Sequence, residues 1–192
     1  MIWSICRSSS LSFIGVKPGE RVADIGAGGG YTTELLARVV GDKGVVYAQN
    51  APKMLAIMGD KAITERVARP VNHATKLDLV VVNLIYHDTV WLGVDRDRMN
   101  RALFAALRPG GRLVLVDHSA VAGSGADVAK TLHRIDRQLV RAELVRAGFV
   151  LESESALYRN PEDTRDWSTS PREVGDRRGT SDRFALRFLK RK

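Results

Sequence analysis

The chain of 192 residues predicts a single doubly wound α/β domain. Two observations predict it: short apolar runs alternate with helical patterns along the chain, and a glycine-rich turn follows the first of those runs. A third, 44% hydrophobic content at this length, suits one buried core and is short for two. Residues 1–15 read as a short N-terminal segment and 158–182 as a long polar loop, both within one domain, 1–192.

Each element has its own signal. Arg21 to Ile25 (RVADI) is entered from the turn Lys17-Pro18-Gly19-Glu20 and left through glycines, as a buried strand is. Tyr31 to Val40 is helical in content and stops at Gly41-Asp42-Lys43-Gly44. Val45 to Ala48 is the second strand, and Pro52 to Arg69 reads as a helix with Pro52 in its first turn and Pro70 beyond its end. Leu77 to Leu84 is the most apolar run, which marks a central strand covered on both faces. Asp97 to Leu107 is a helix with Met99, Leu103 and Ala106 on one face, closed by Arg108-Pro109-Gly110-Gly111; Arg112 to Val116 is the next strand. From Ala126 to Ala147, Val128, Leu132, Ile135, Leu139 and Ala142 fall 4, 3, 4 and 3 apart, which predicts one long helix ending at Gly148. Phe149 to Glu152 and Phe184 to Leu189 complete the strands. The alternation implies a parallel sheet with right-handed crossovers, whose ligands bind beyond the carboxyl ends of the strands.

Composition excludes more than it selects. A net charge of +8 would suit an anionic partner, but the arginines are scattered at spacings of solvated helix faces, so solubilising charge is the favoured reading. The one cysteine, Cys6, can form no internal disulfide and has no second thiol to share a metal; no metal site is expected. The start MIWSICRSSSLSFIG lacks a basic region followed by a sustained apolar core, and no run approaches the roughly 18 apolar residues of a membrane span. The expectation is a cytoplasmic protein, monomeric or homodimeric.

The stretch ADIGAGGGYTTELLA, Ala23 to Ala37, carries the chemistry. After the first strand the chain turns into a helix, and missing β-carbons let a ligand approach backbone N–H groups. A dinucleotide site wants G-x-G-x-x-G/A, but Tyr31 stands at the third position after Gly26 and Gly28. The pattern present is acid-x-G-x-G-x-G, in Asp24, Gly26, Gly28 and Gly30. Here the sequence resembles the class I S-adenosylmethionine-dependent methyltransferases. The resemblance continues in Gly44 to Gln49 with Pro52-Lys53-Met54-Leu55, in Leu77-Asp78-Leu79-Val80, in Leu107 to Asp117 and in Ala147-Gly148-Phe149, in order over about Val16 to Phe188.

The resemblance implies a Rossmann-like, mostly parallel seven-stranded sheet with an antiparallel last strand, and S-adenosyl-L-methionine as cofactor. It places Asp24 at the cofactor's amino group, and Gly26, Ala27, Gly28, Gly30 and Tyr31 along its methionine and ribose. Gln49, followed by Asn50, stands where the family has an acid for the ribose hydroxyls; an amide can still bind them, more weakly. Asn83 is expected at the methionine end. For Asp24 and Asn83 a plain structural hydrogen bond is the alternative reading. Pro70 to Lys76 offers only seven residues where the family needs a third strand and a return. Either that edge strand is reduced or residues are omitted there; omission is favoured, and it expects two neighbours in Val71 to Lys76 to stand farther apart than the about 3.8 Å of linked α-carbons.

Methyl transfer needs an aligned acceptor, and a base only where the acceptor arrives protonated. Topology gathers His87 and His118 on one rim as candidate catalytic groups. Tyr86, Asp88 and His133 join them as candidate pocket residues, with His133 and Asp136 one turn apart on the long helix and Trp91 a possible wall. Cytosine C5 and exocyclic amino methylation lack their residues here: Cys6 is the only thiol, and Asn83-Leu84-Ile85-Tyr86 has no prolines. A small-molecule acceptor is favoured over nucleic acid or protein. A non-catalytic S-adenosylmethionine-binding protein and an NAD(P)-dependent oxidoreductase remain as alternatives.

Overall fold

The strands of the computed structural model, which describes residues 11–52, 55–56 and 76–192, form one sheet. These are β1 (Arg21–Ile25), β2 (Val45–Gln49), β3 (Leu77–Asn83), β4 (Leu107–His118), β5 (Val150–Ser155) and β6 (Arg183–Leu189), in the order β2-β1-β3-β4-β6-β5. β1 runs parallel to β2 and β3, and β3 to β4, while β6 is antiparallel to both β4 and β5. The mostly parallel sheet with an antiparallel last strand is the expected one, with six strands among the described residues. The anticipated third strand, most of the Pro52–Arg69 helix, Cys6 and the Val71–Lys76 gap lie outside them.

β3 shows why an unbroken apolar run is a central strand. Leu79 and Val81 join Val22, Leu36, Val40, Val46 and Val114 on one face, whereas Val80 and Val82 join Leu113, Leu115, Leu144, Phe149 and Phe188 on the other. Helix α1 (Tyr31–Val40) packs on β1 and β2 through Thr33, Leu36 and Val40. Two short or medium helices follow β3, α2 (Asp88–Trp91) and α3 (Arg96–Ala106), and α3 turns Met99, Leu103 and Ala106 to the core as predicted. No helix among the described residues is long and apolar enough to cross a membrane.

Two expectations are corrected. Arg108-Pro109-Gly110-Gly111 does not separate a helix from a strand; β4 starts at Leu107, opposite Leu77, and the four residues bulge out before Arg112 resumes opposite Leu79. The bulge is paired from the other side, Gly110 N donating to Lys190 O and Lys190 N to Gly111 O.

The single long helix over Ala126–Ala147 is two helices, α4 (Ala129–Leu132) and α5 (Arg137–Arg146). His133 ends α4 in the left-handed conformation at φ 51°. Ile135 then lies beside the end of β4, its N–H donating to His118 O and its carbonyl accepting from Ala120 N. Asp136 restarts the helix as its cap, accepting from Gln138 N at 2.7 Å and from Gly123 N at 2.6 Å. Ile135 is buried at a helical spacing without being helical, and α5 buries Val140, Glu143 and Leu144 while Ala142 is exposed.

The break also brings Arg134 inside. Its guanidinium is fully buried, donates to Asp163 at 2.8 and 3.2 Å, and reaches the carbonyls of Ser119 and Trp167 at 3.0 Å each. Thus the polar loop 158–182 is tied to the domain by buried charge. Arg134→Met should strand Asp163 and cost about 3–5 kcal/mol in urea unfolding. Arg146→Met, at an exposed pair with Asp97, should leave the unfolding midpoint unchanged.

Candidate active site

Parallel β1, β3 and β4 end on the same edge of the sheet, so the loops after them are neighbours. After β1, Gly26, Gly28 and Gly30 all take left-handed backbone conformations, at φ 67°, 56° and 84°. The alternation of glycines is thus a conformational requirement, since an L side chain there is strained by about 1–2 kcal/mol per residue. At Gly26 space is a second requirement: an added β-carbon would stand 2.5 Å from Ile85 Cγ1. The missing β-carbon at that position admits Ile85, a neighbour within the chain.

The loop is held from beneath. Gly26 N and Ala27 N donate to Gln49 O at 2.8 and 3.0 Å, and Gly28 N donates to Asn50 Oδ1 at 2.8 Å while Asn50 Nδ2 returns a 3.3 Å bond to Gly28 O. The Asn50 amide is therefore engaged with the loop itself, while the Gln49 side chain is exposed beside it. Asn83 Nδ2 donates to Thr32 Oγ1 at 3.1 Å, which joins the end of β3 to the first turn of α1. Tyr31 opens α1 and is 55% exposed.

Asp24 is the acid of this loop and is 1% exposed. Thr33 Oγ1 donates to its Oδ2 at 2.6 Å. Burial pushes the carboxyl up to about 6, and the Thr33 bond only partly offsets that. Thr33 was not anticipated; it stands nine positions along, on a helix whose angular position is set by the glycine turn.

The second half of the edge is a histidine cluster. The ring centroid of His87 lies 5.8 Å from that of His118 and 5.4 Å from that of His133, so three of the four histidines do meet. His87 is buried between two carboxylates: Nδ1 is 2.6 Å from Asp117 Oδ1 and Nε2 is 3.1 Å from Asp88 Oδ1. Burial alone would push this imidazole down, but Asp117 and then Asp88 raise it to about 10, so it holds a proton at neutral pH. His118 goes the other way. Burial, against the pull of Asp117, drives it down to about 3, and its neutral ring sets Nδ1 2.8 Å from Ser181 Oγ. Among the described residues nothing bonds its Nε2.

Asp88 Oδ1 accepts from Trp91 Nε1 at 2.8 Å and faces His133 Nδ1 at 3.1 Å. These bonds hold the carboxyl well below its usual range although burial opposes them. His133 belongs to the cluster through its position at the end of α4; the expected neighbour Asp136 caps α5 instead. Tyr86, expected as a pocket wall, is fully buried. Its hydroxyl donates to Glu143 Oε2 at 2.7 Å and accepts from Asn100 Nδ2 at 2.7 Å, while Arg96 donates to Glu143 at 2.7 Å. The residue pattern did not single out Asp117 as an anchor or Ser181 as a partner; Asp117 had a signal in its place before His118 at a strand end, and Ser181 had none.

A family model for protein-L-isoaspartate(D-aspartate) O-methyltransferase (PCMT) matches residues 5–150, more than half of the chain. The chain belongs to that family. It is a class I S-adenosylmethionine-dependent methyltransferase by descent. The ubiquinone/menaquinone biosynthesis C-methyltransferase UbiE of Teredinibacter turnerae is 31% identical over 141 residues, 69% of this chain and 56% of that protein. The UbiE of Vibrio vulnificus is 29% identical over 117 residues, 55% of this chain and 44% of its own. The chain thus spans about half the length of the curated relatives it matches. Among solved structures, a SAM-dependent methyltransferase from Aquifex aeolicus superposes with a TM-score of 0.62 over 96% of this chain and 89% of that one, at 17% identity. That likeness establishes the shared fold.

The contact between Gly26 and Ile85 makes the loop testable by a double-mutant cycle. Gly26→Ala should cost about 2–4 kcal/mol, from backbone strain and the clash together. With Ile85→Ala added, the cost in urea unfolding should fall at least about 1 kcal/mol short of the sum of the single variants.

Proposed function

We propose that the protein transfers a methyl group from S-adenosylmethionine to a small-molecule acceptor. One observation carries the reading: an Asp-opened loop of three left-handed glycines shares a strand-end edge with a neutral histidine. Membership of the family supports it.

The residues present fit the cofactor. Among the described residues Asp24 is a buried acid supported by one hydroxyl, so a cationic amine would complete it. The backbone of Gly26, Ala27, Gly28 and Gly30 would line the methionine and ribose, with Tyr31 above them and Asn83 at the methionine end. Gln49 would take the ribose hydroxyls, and Asn50 serves by fixing the loop. When bound, S-adenosylmethionine supplies a methyl group activated by its sulfonium, so the chain's part is to hold and align.

On the acceptor side His118 suits the role of base, being neutral with Nε2 unengaged among the described residues. His87, bonded at both nitrogens, suits a fixed positive wall, and Asp88 and His133 complete the rim above Tyr86. The family description names an O-acceptor and the curated relatives a C-acceptor. A neutral base serves either when the acceptor arrives protonated. We further place the enzyme in the cytoplasm as a monomer or homodimer.

Binding of S-adenosylhomocysteine should follow the Asp24 carboxylate. Only the ionised form pairs with the amine, so affinity by calorimetry should fall about tenfold from pH 7 to pH 5 as the group near 6 takes up its proton. Asp24→Asn should bind weakly at both values with that slope gone. No binding at either pH, or tight NAD(P) binding alone, removes the reading.

With a panel of phenols, quinols and carboxylic acids and methyl-labelled cofactor, His118→Gln should slow turnover by about 100-fold or more. Its affinity for S-adenosylhomocysteine should stay at the wild-type value.

A further inference from the structure

We propose that His87, Asp88 and His133 form a binding site for a divalent transition-metal ion. The ligand-type atoms of these residues lie within 4.8 Å of one another, and two of the three residues are buried. His87 Nε2 and His133 Nδ1 each stand 3.1 Å from Asp88 Oδ1. Ligands about 2.0–2.1 Å from a tetrahedral zinc stand about 3.3 Å apart, so small shifts suffice to seat an ion.

Three features make this more than a cluster of polar groups. First, Asp117 fixes the His87 ring from behind. A carboxylate only accepts, so Nδ1 donates to Asp117, and Nε2, turned to Asp88, is the nitrogen whose proton an incoming ion would displace. A carboxylate–histidine pair behind a ligating nitrogen is the arrangement that orients metal-bound imidazoles. Second, Asp88 Oδ1 alone faces three ring nitrogens, those of His87, His133 and Trp91. Trp91 Nε1 can only donate, and it pins the carboxylate in place; an ion would convert the contacts of the other two nitrogens with Asp88 into shared coordination. Third, two carboxylates, Asp88 and Asp117, flank the one ring of His87, so negative charge is left in the cluster once an ion takes the place of the His87 Nε2 proton.

Two imidazoles and a carboxylate suit Zn²⁺, Co²⁺ or Fe²⁺ far better than Mg²⁺ or Ca²⁺. Three protein ligands leave coordination positions for water, and His133, with 22% of its side chain exposed, connects the site to solvent. The inference stands apart from the methyl-transfer reading, because metal binding is read without cofactor or acceptor.

The test is titration of chelator-treated, dialysed protein with ZnCl₂ by calorimetry and with CoCl₂ by visible absorption, MgCl₂ serving as the hard-ion control. Wild-type protein should bind one Zn²⁺ with submicromolar affinity and give the visible bands of four- or five-coordinate Co²⁺. Asp88→Asn and His133→Gln should each weaken Zn²⁺ by at least about 100-fold. Asp117→Asn should weaken it by about 10- to 100-fold. Arg146→Met, at an exposed pair with Asp97, should leave it unchanged. Circular dichroism and S-adenosylhomocysteine binding report whether each variant is folded; should Asp88→Asn unfold, the partly exposed His133→Gln and the Co²⁺ bands decide. No binding by wild-type protein, or binding that survives both ligand substitutions, overturns the site.

Discussion

One carboxylate, Asp117, organises the histidine cluster at the strand ends of this molecule. It is fully buried at the end of β4 and accepts three bonds: His87 N at 2.9 Å, His87 Nδ1 at 2.6 Å and His118 N at 2.8 Å. Two of these satisfy backbone donors that would otherwise be buried without partners, and the third orients a ring. The exit from β3 is thereby fastened to the end of β4. The positions of His87, and through it of Asp88 and His133, follow from that fastening.

Asp24 makes the contrast that gives the edge its chemistry. Both acids are buried at strand ends, yet among the described residues Asp117 accepts three bonds and Asp24 one, from a hydroxyl. Burial without a cation is costly for a carboxylate, and burial pushes Asp24 up to about 6. A protein retains such a group where a ligand completes it. Among the described residues the edge therefore divides into a half whose buried carboxylate is met by several donors and a half whose carboxylate is met by one hydroxyl.

How much of this was legible depends on how local the signal is. β1 and α1 match their predicted bounds residue for residue because turn residues and glycines punctuate both ends. The long helix failed because apolar spacing was counted without the residues between. His133 in a left-handed turn and Asp136 as a cap carry no period, and Ile135 falls at a helical interval while pairing with the end of β4. The convergence of three histidines was legible from topology, since strand ends of a parallel sheet share an edge. Their electrostatics were not. They follow from burial and from carboxylates that the fold brings in: Asp117 lies 30 positions from His87, and Ser181, which bonds the His118 ring, lies 63 positions from it.

The five residues after β3 explain how the two halves keep their spacing. Leu84 takes φ 55° with its N–H on Val116 O at 2.8 Å, a strained conformation of about 1 kcal/mol that turns the chain out of the strand. Ile85 fills the space above Gly26, so this residue touches the glycine loop. Tyr86 reaches down to Glu143 and Asn100, His87 across to Asp117, and Asp88 up to Trp91 and His133. The side chains of Tyr86, His87 and Asp88 thus reach three different places: Glu143 and Asn100 on two helices, Asp117 on β4, and His133 at the end of α4. The separation between the glycine loop and the histidine cluster is therefore set by one rigid turn. The methyl transfer proposed above would tolerate little misplacement, and a turn bonded at successive residues is a structure suited to that demand.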